Sequence, residues 1–151
     1  MERRLVALLA ADVAGYSRLM GEDEVATLAA LKKCEQEVIE PAVETHGGQI
    51  VKRMGDGYLV QFTSTIGCVE CALEWQRGVK RAEYPFDFRL GINLGDVLTE
   101  SGDIYGDDVN IAARMESSCE PGKINISANT YELVKDQFTC TPRGALEVKN
   151  R

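Results

Sequence analysis

The chain has 151 residues, a length typical of one compact domain, and 44% of them are hydrophobic, which is enough to bury a core without disulfides. Its formal net charge is −7, with 24 acidic residues against 17 basic ones, which argues against nonspecific binding to nucleic acids or anionic membranes. No apolar stretch approaches the roughly 20 residues that span a bilayer, and we interpret the apolar run after Arg3 and Arg4 as a buried strand rather than a signal peptide.

The cysteines predict reduced thiols and a cytoplasmic location. Their number is odd and their spacing irregular, which does not suit a disulfide framework. Cys68 and Cys71 form a lone C-x-x-C pair, and a zinc site would need a second pair or histidines, of which His46 is the only one. We interpret the pair as two buried small residues one helical turn apart. The five cysteines are Cys34, Cys68, Cys71, Cys119 and Cys140.

The N-terminal part of the chain predicts one strand and one long helix. Residues 5–10 form an uninterrupted apolar run typical of a central strand, which Asp12 ends. Residues 22–44 carry apolar side chains near helical spacing and predict the helix, in which Pro41 is expected to cause a kink or an early end. The glycines at 47 and 48 are the stop signal.

A hairpin and a second helix follow. Residues 49–54 and 58–62 predict two short strands, which the turn Gly55-Asp56-Gly57 joins. The helix is expected to be capped by residue 63 or 64 and to end near residue 80.

The C-terminal half alternates short strands with short helices. The order β-α-β-β-α-β, with further C-terminal elements appended, predicts a ferredoxin-like α+β fold with its helices on one face of the sheet. The predicted elements are a strand over 86–93 that continues through Val97 and Leu98, a helix from Asp107 or Asp108 to Met115, a strand over 124–126, a helix over 129–134 capped by Ser127, and an extended segment over 138–149.

Two aspartates are candidate metal ligands. Asp12 ends the first strand and Asp56 lies in the hairpin turn, and these strands are sheet neighbours in a β-α-β-β unit. Two adjacent carboxylates repel each other, and a divalent cation such as Mg²⁺ or Mn²⁺ removes that repulsion. The alternatives are that Asp56 is only a turn residue, which is favoured when it is taken alone, and that Asp12 caps a following helix.

Three further groups of residues are candidates for nucleotide contacts. Gly15-Tyr16-Ser17 forms a glycine turn that opens a helix and directs backbone N–H groups at one point, which favours phosphate. Asn110 and Arg114 have i, i+4 spacing and share a helix face that suits a sugar and a phosphate. Lys52 and Asp103 are a donor and an acceptor that suit a purine edge. On spacing alone, these last four are ordinary surface residues, with Arg114 paired to a nearby acid such as Asp107.

Three stretches together resemble a known family. The segments AADVAGYS over 10–17, VKRMGDG over 51–57 and DIYGDDVNIAARM over 103–115 resemble the signature blocks of class III adenylyl/guanylyl cyclase catalytic domains. The likeness is greatest to the bacterial kind common in rhizobia. The blocks occur in the family's order and cover almost the whole chain. The resemblance implies the class III cyclase fold and an adenylate cyclase that converts ATP to 3′,5′-cyclic AMP and pyrophosphate.

The resemblance assigns roles residue by residue. Asp12 and Asp56, with the carbonyl of Val13, resemble the ligands of two divalent cations, Mg²⁺ or Mn²⁺. The remaining matches concern the substrate: Lys52 and Asp103 resemble the pair that recognises adenine and rejects guanine, Asn110 the residue that orients the ribose, Arg114 the residue that stabilises the transition state, and Lys149 a lysine that contacts the triphosphate.

The resemblance also implies partners. In the family, the active site is shared by two protomers, so a homodimer is expected, as is a regulatory domain outside this sequence. The family usually continues through another strand after Lys149, so residues 1–151 are expected to be one catalytic domain shortened at that strand. Residues 99–102 are short where some relatives carry a phosphate-binding arginine. The alternatives are a guanylate cyclase and a non-catalytic nucleotide-binding or dimerisation module. A module of that kind would ordinarily have lost a metal-binding aspartate, the asparagine or the arginine, and this sequence has all of them.

Overall fold

The structure is a computed structural model that describes residues 1–142 of the chain. In this part of the chain the strands form one sheet in the order β2-β3-β1-β4-β5, with β6 paired to β4 in parallel. The neighbouring strands along the main path are antiparallel. The strands are β1 Glu2–Val13, β2 Gly48–Met54, β3 Gly57–Phe62, β4 Phe88–Glu100, β5 Asp103–Tyr105 and β6 Ile124–Ile126.

The helix predicted over 22–44 begins at residue 24 and its helical backbone continues to residue 45. Asp23 has extended backbone angles, and its side chain accepts a hydrogen bond from the backbone N–H of Ala26, so it ends one helix and caps the next. Pro41 directly follows a π-helical turn, and the backbone stays right-handed helical on both sides of it, so the proline does not end the helix. The helices are α1 Tyr16–Glu22, α2 Glu24–Cys34, a π-helical turn Glu35–Ile39, α3 Glu40–Thr45, α4 Thr65–Arg81, α5 Asp107–Ser117 and α6 Ala128–Val134.

The predicted ferredoxin-like core is confirmed, because β1, β2, β3 and β4 have the order and directions of a β-α-β-β-α-β unit. Ser64 caps α4 by accepting a hydrogen bond from the N–H of Gly67. None of the helices in residues 1–142 is long and apolar enough to cross a membrane.

Several C-terminal predictions are corrected. The helix α5 is capped by Gly106 and not by Asp107 or Asp108, because the Asp108 carboxylate accepts a hydrogen bond from the N–H of Asp96 instead. Ser127 holds the cap position of α6, but its hydroxyl donates to Asn93 rather than capping the helix. Residues 138–142 form no strand, and the rest of the segment predicted over 138–149 lies outside the described residues.

Helices cover both faces of the sheet, whereas the sequence predicted one. Alternate residues of β1, such as Leu9 and Ala11, enter a larger core that also contains side chains of α2, α3, α4 and α6. The intervening residues, such as Leu8 and Ala10, enter a smaller core that includes Ala112 of α5. The appended helix therefore packs on the face opposite the ferredoxin-like helices.

Two glycines of β4 explain why α5 packs there. A Cβ atom built at Gly91 would lie 2.2 Å from the backbone nitrogen of Glu116 and 2.7 Å from the carbonyl oxygen of Ala112. A Cβ atom built at Gly95 would lie 2.4 Å from the Cβ of Asp108. The helix backbone therefore rests directly on the strand backbone, a distance that only glycine permits.

Candidate active site

The two candidate metal ligands lie at the same end of the sheet. Asp12 is opposite Gly57 in the ladder between β1 and β3, and Asp56 is the residue before Gly57 in the hairpin turn. The Asp56 carboxylate accepts a hydrogen bond from the backbone N–H of Val13, the residue after Asp12. Burial raises the pKa of Asp56, and the negative charge of Asp12 raises it further.

Both alternative roles can be compared with the structure. Gly15, not Asp12, caps α1, so Asp12 is free of the capping role. Asp56 is indeed a turn residue, since it follows Gly55, whose φ of 58° is in the left-handed region. Because Asp56 also lies near the Asp12 carboxylate, its role as a turn residue does not exclude a role as a metal ligand.

Arg89 and Glu116 belong to this cluster and were missed by the sequence analysis. Arg89 of β4 is opposite Asp12 in the ladder, and its Nε and Nη2 lie 3.0 and 2.7 Å from the two carboxylate oxygens of Asp12. Its Nη2 is also 3.4 Å from Oε2 of Glu116. Burial raises the pKa of Glu116, and a hydrogen bond to Asp12 and the charge of Asp12 act in the same direction. The only sequence signal was a cross-strand pair whose register had to be known first.

The chemistry of this cluster fits a hard divalent cation. Asp12, Asp56 and Glu116 bring three carboxyl groups near one guanidinium. Burial is the main cause of the raised pKa of Asp56 and of Glu116, and the charge of Asp12 raises both further. Within residues 1–142, no group of three or more Asp, Glu, His or Cys side chains is arranged so that these side chains alone could hold a metal ion. The two aspartates would therefore share a cation with water and substrate oxygens, which is how Mg²⁺ is usually bound.

The structure brings Lys52 and Asp103 together. The Nζ of Lys52 is 3.2 Å from Oδ2 of Asp103, although β2 and β5 are the two outer strands of the main sheet path. A hydrogen bond from the backbone N–H of Ile104 lowers the pKa of Asp103, and Lys52 lowers it further. The pair therefore presents a charged donor and a charged acceptor side by side, each about one third exposed.

Asn110 and Arg114 lie on α5 as the i, i+4 spacing predicted. The Asn110 side chain is exposed and Arg114 is half-buried. Within residues 1–142, neither side chain forms a hydrogen bond or an ion pair, so the pairing of Arg114 with Asp107 or another acid does not occur. A guanidinium that no carboxylate neutralises is available to an anionic ligand.

The remaining candidates are less well defined. Gly15 has a φ of 69° and opens α1, which is seven residues long, and Ser17 is exposed. The Tyr16 side chain packs against the larger core, which gives it a structural role. Val13 is buried, and Lys149 lies outside the described residues.

The C-x-x-C pair is structural, as the sequence predicted. Cys68 and Cys71 are fully buried on α4 and are not joined in a disulfide. Burial raises the pKa of Cys71 to about 12. Thiols of this kind are unreactive at neutral pH.

Comparison with known proteins extends the likeness to the whole chain. Residues 2–151 match the family model of the adenylate and guanylate cyclase catalytic domain. A putative adenylate cyclase 3 of Rhizobium meliloti is 44% identical over 99% of this chain, which spans 27% of that protein. An adenylate cyclase of Mycobacterium tuberculosis H37Rv is 27% identical over 99% of this chain, which spans 40% of it. The chain therefore spans less than half the length of these relatives.

Solved structures have the same fold. An adenylate/guanylate cyclase/hydrolase from Silicibacter pomeroyi superposes with a TM-score of 0.90 at 44% identity, and the match covers 99% of this chain and 92% of the other chain. The adenylyl cyclase CyaB from P. aeruginosa superposes with a TM-score of 0.88 at 27% identity and covers 99% and 90%. The fold class predicted from the sequence is confirmed.

Proposed function

Because this chain belongs to the adenylate and guanylate cyclase catalytic domain family, we propose that it converts ATP to 3′,5′-cyclic AMP and pyrophosphate as a homodimer. The observation that favours ATP is the ion pair between Lys52 and Asp103. The ammonium group donates to a ring nitrogen of adenine, and the carboxylate accepts from the exocyclic amine. Guanine has a carbonyl at the position of that amine, and its oxygen would face the carboxylate of Asp103 without a proton between them.

Asp12 and Asp56 are the proposed metal ligands, with the Val13 carbonyl as a further ligand. Two divalent cations, Mg²⁺ or Mn²⁺, would lower the pKa of the ribose 3′-hydroxyl and neutralise the triphosphate when bound. Two features of the chain support this assignment: the Val13 N–H lowers the pKa of the Asp56 carboxylate, and Asp12 is level with Gly57, the residue after Asp56.

Asn110 and Arg114 are proposed to act on the other side of the substrate. The 3′-oxygen attacks the α-phosphorus, its proton passes to water, and the bond to the bridging oxygen of pyrophosphate breaks. Asn110 orients the ribose, and Arg114 neutralises charge that grows on the α-phosphoryl group and the bridging oxygen. Backbone N–H groups of Gly15, Tyr16 and Ser17 and the side chain of Lys149 are the proposed triphosphate contacts.

The dimer is proposed because Asn110 and Arg114 contact neither Asp12 nor Asp56 within residues 1–142. Their side chains have no partner there and face outward on α5. A second copy of the chain would then bring its own Asn110 and Arg114 to the metal ligands of the first, which gives two equivalent sites.

Mixing two inactive variants tests this sharing. We expect kcat to fall about 1000-fold or more in Asp56→Asn and at least about 100-fold in Arg114→Ala. A 1:1 mixture that exchanges subunits should regain about a quarter of the wild-type rate, because half of the dimers are mixed and each has one intact site. Cyclic AMP formation after incubation at high protein concentration measures this. A mixture as inactive as its components would contradict a shared site.

Substrate choice is tested at Lys52 and Asp103. We expect the wild type to form cyclic AMP with Mn²⁺ and little cyclic GMP. The double variant Lys52→Glu, Asp103→Asn should lose most cyclic AMP formation and gain relative activity with GTP, since Glu accepts from the N–H groups of guanine and Asn donates to its carbonyl. Both products are measured with each nucleotide. Wild-type preference for GTP would make the domain a guanylate cyclase, and no product from either nucleotide would make it a non-catalytic module.

A further inference from the structure

Arg89 forms an ion pair with Asp12, the carboxylate that the proposed function assigns to the metal. Its Nε lies 3.0 Å from Oδ1 of Asp12 and its Nη2 lies 2.7 Å from Oδ2, so both carboxylate oxygens accept a hydrogen bond from one guanidinium. Fork-to-fork pairs of this kind are among the stronger ion pairs in proteins. Neither side chain is fully exposed, with 31% accessible for Arg89 and 21% for Asp12, so solvent screens the pair less than a surface pair.

The same guanidinium already touches a second set of acceptors. Its Nη2 is 3.4 Å from Oε2 of Glu116, and its Nη1 is 3.4 Å from the carbonyl oxygen of Ser117. The Oε2 atom of Glu116 is buried and accepts no hydrogen bond within residues 1–142. Arg89 thus lies between the Asp12 carboxylate, to which it donates two hydrogen bonds, and Oε2 of Glu116, which it approaches without forming a hydrogen bond.

We propose that Arg89 is an internal counterion that competes with the divalent cation for Asp12 and moves toward Glu116 when the cation binds. This inference rests on the proposed function, because it requires Asp12 to be a metal ligand. A dication and a guanidinium on the same two oxygens repel each other, so tight binding of one weakens the other. Arg89 is therefore a positioning residue, which orients Asp12 and sets the metal affinity of the empty site.

The position of Arg89 makes the movement short. It lies on β4 directly opposite Asp12, and Glu116 follows from α5, whose backbone contacts β4 at Gly91. Rotation of the arginine side chain can exchange one carboxylate for the other without moving either backbone. Arg89 then neutralises the charge of Asp12 until the metal binds, and afterwards its guanidinium pairs with Glu116.

Mn²⁺ binding to the nucleotide-free protein tests the proposal, with free Mn²⁺ measured by electron paramagnetic resonance. We expect Arg89→Gln to bind Mn²⁺ about tenfold more tightly than the wild type, because it removes the competing charge. Arg89→Lys keeps the charge but not the fork, so its affinity should lie between the two. The matched control is Arg3→Gln, since Arg3 also pairs with an aspartate across β1 and β4, with a distance of 3.4 Å to Asp96. Its Mn²⁺ affinity should equal that of the wild type.

Two results separate this proposal from the proposed function. Adding Asp12→Asn to Arg89→Gln should abolish the gain in affinity, which ties it to that carboxylate. Unchanged or weaker Mn²⁺ binding in Arg89→Gln, while Asp12→Asn still weakens binding in the wild-type background, would overturn the competition but leave the metal site standing. No Mn²⁺ binding in any variant, or binding that ignores Asp12, would overturn both. A second readout, the rise in Tm caused by Mn²⁺, should be larger for Arg89→Gln than for the wild type.

Discussion

Replacing Asp56 with asparagine is expected to lower cyclic AMP formation about 1000-fold or more while leaving the metal-free fold at least as stable as that of the wild type. Asparagine keeps an oxygen that can accept the N–H of Val13, but it cannot replace a charged ligand of a divalent cation. The loss should appear in kcat at any Mn²⁺ concentration that the assay permits. Retention of more than a tenth of the wild-type rate would contradict the role assigned to this carboxylate.

The expected stability of metal-free Asp56→Asn follows from the pKa of Asp56 in the wild type. Burial and the charge of Asp12 raise this pKa above its unfolded value, so the folded protein binds the proton more readily than the unfolded chain. The ionised group therefore costs stability at neutral pH, and this cost disappears as the pH falls through the raised pKa. Asp56→Asn should remove the cost at every pH.

Thermal unfolding without and with Mn²⁺ measures both effects. Without metal, the Tm of Asp56→Asn should equal or exceed that of the wild type at pH 7, and it should change less on acidification. With Mn²⁺, only the wild type should gain stability. Asp136→Asn is the control, because Asp136 is exposed after α6 and the same substitution there should change neither Tm nor activity. A lower metal-free Tm in Asp56→Asn would show that this aspartate serves the fold instead.

The second large effect is expected at Gly91. The substitution Gly91→Ala should destabilise the fold by about 3 kcal/mol or more, because the new methyl group would meet backbone atoms of Glu116 and Ala112 rather than a side chain that can rotate. Helix α5 must then move away from β4, and it carries Asn110 and Arg114 with it. For a chain of this length, we expect a fall in Tm of roughly 10 °C together with loss of cyclic AMP formation.

Gly21→Ala is the matched control for this experiment. Gly21 lies on α1, and a Cβ atom built there has nothing within 4 Å. The same glycine-to-alanine change should therefore stabilise the helix by about 0.5–1 kcal/mol and leave the rate unchanged. Equal Tm values for the two variants would mean that α5 does not rest on β4 as closely as the structure indicates.

The proximity of Asp12 and Asp56 could be predicted from the sequence because it depends only on strand order. In a β-α-β-β unit the first strand and the hairpin are neighbours, so the ends of those strands must meet. The i, i+4 relation of Asn110 and Arg114 was equally accessible, since helical geometry determines it locally. That Arg114 has no partner among residues 1–142 could not be predicted, because it depends on where the acidic side chains lie in space.

The pairing of Arg89 with Asp12 needed the register of two strands that are far apart in sequence. Register follows from which faces are buried, and both faces of β1 are buried, so its uninterrupted apolar run carries no alternation that would indicate the register. The position of α5 has a local signal in the sequence. Gly91 and Gly95 are four residues apart on one strand face, a pattern typical of close backbone approach.

The contact between Lys52 and Asp103 has a consequence for substrate choice. By strand register, Lys52 is level with Ala10, near the C-terminal end of β1. Asp103 pairs with Glu100 of β4, and the neighbouring Thr99 pairs with Glu2, at the N-terminal end of β1. Their 3.2 Å separation therefore requires diagonal corners to converge. Under the proposed function, base selection then depends on the curvature of the sheet, and a substitution that flattens the central strands should alter nucleotide preference although it contacts no part of the base.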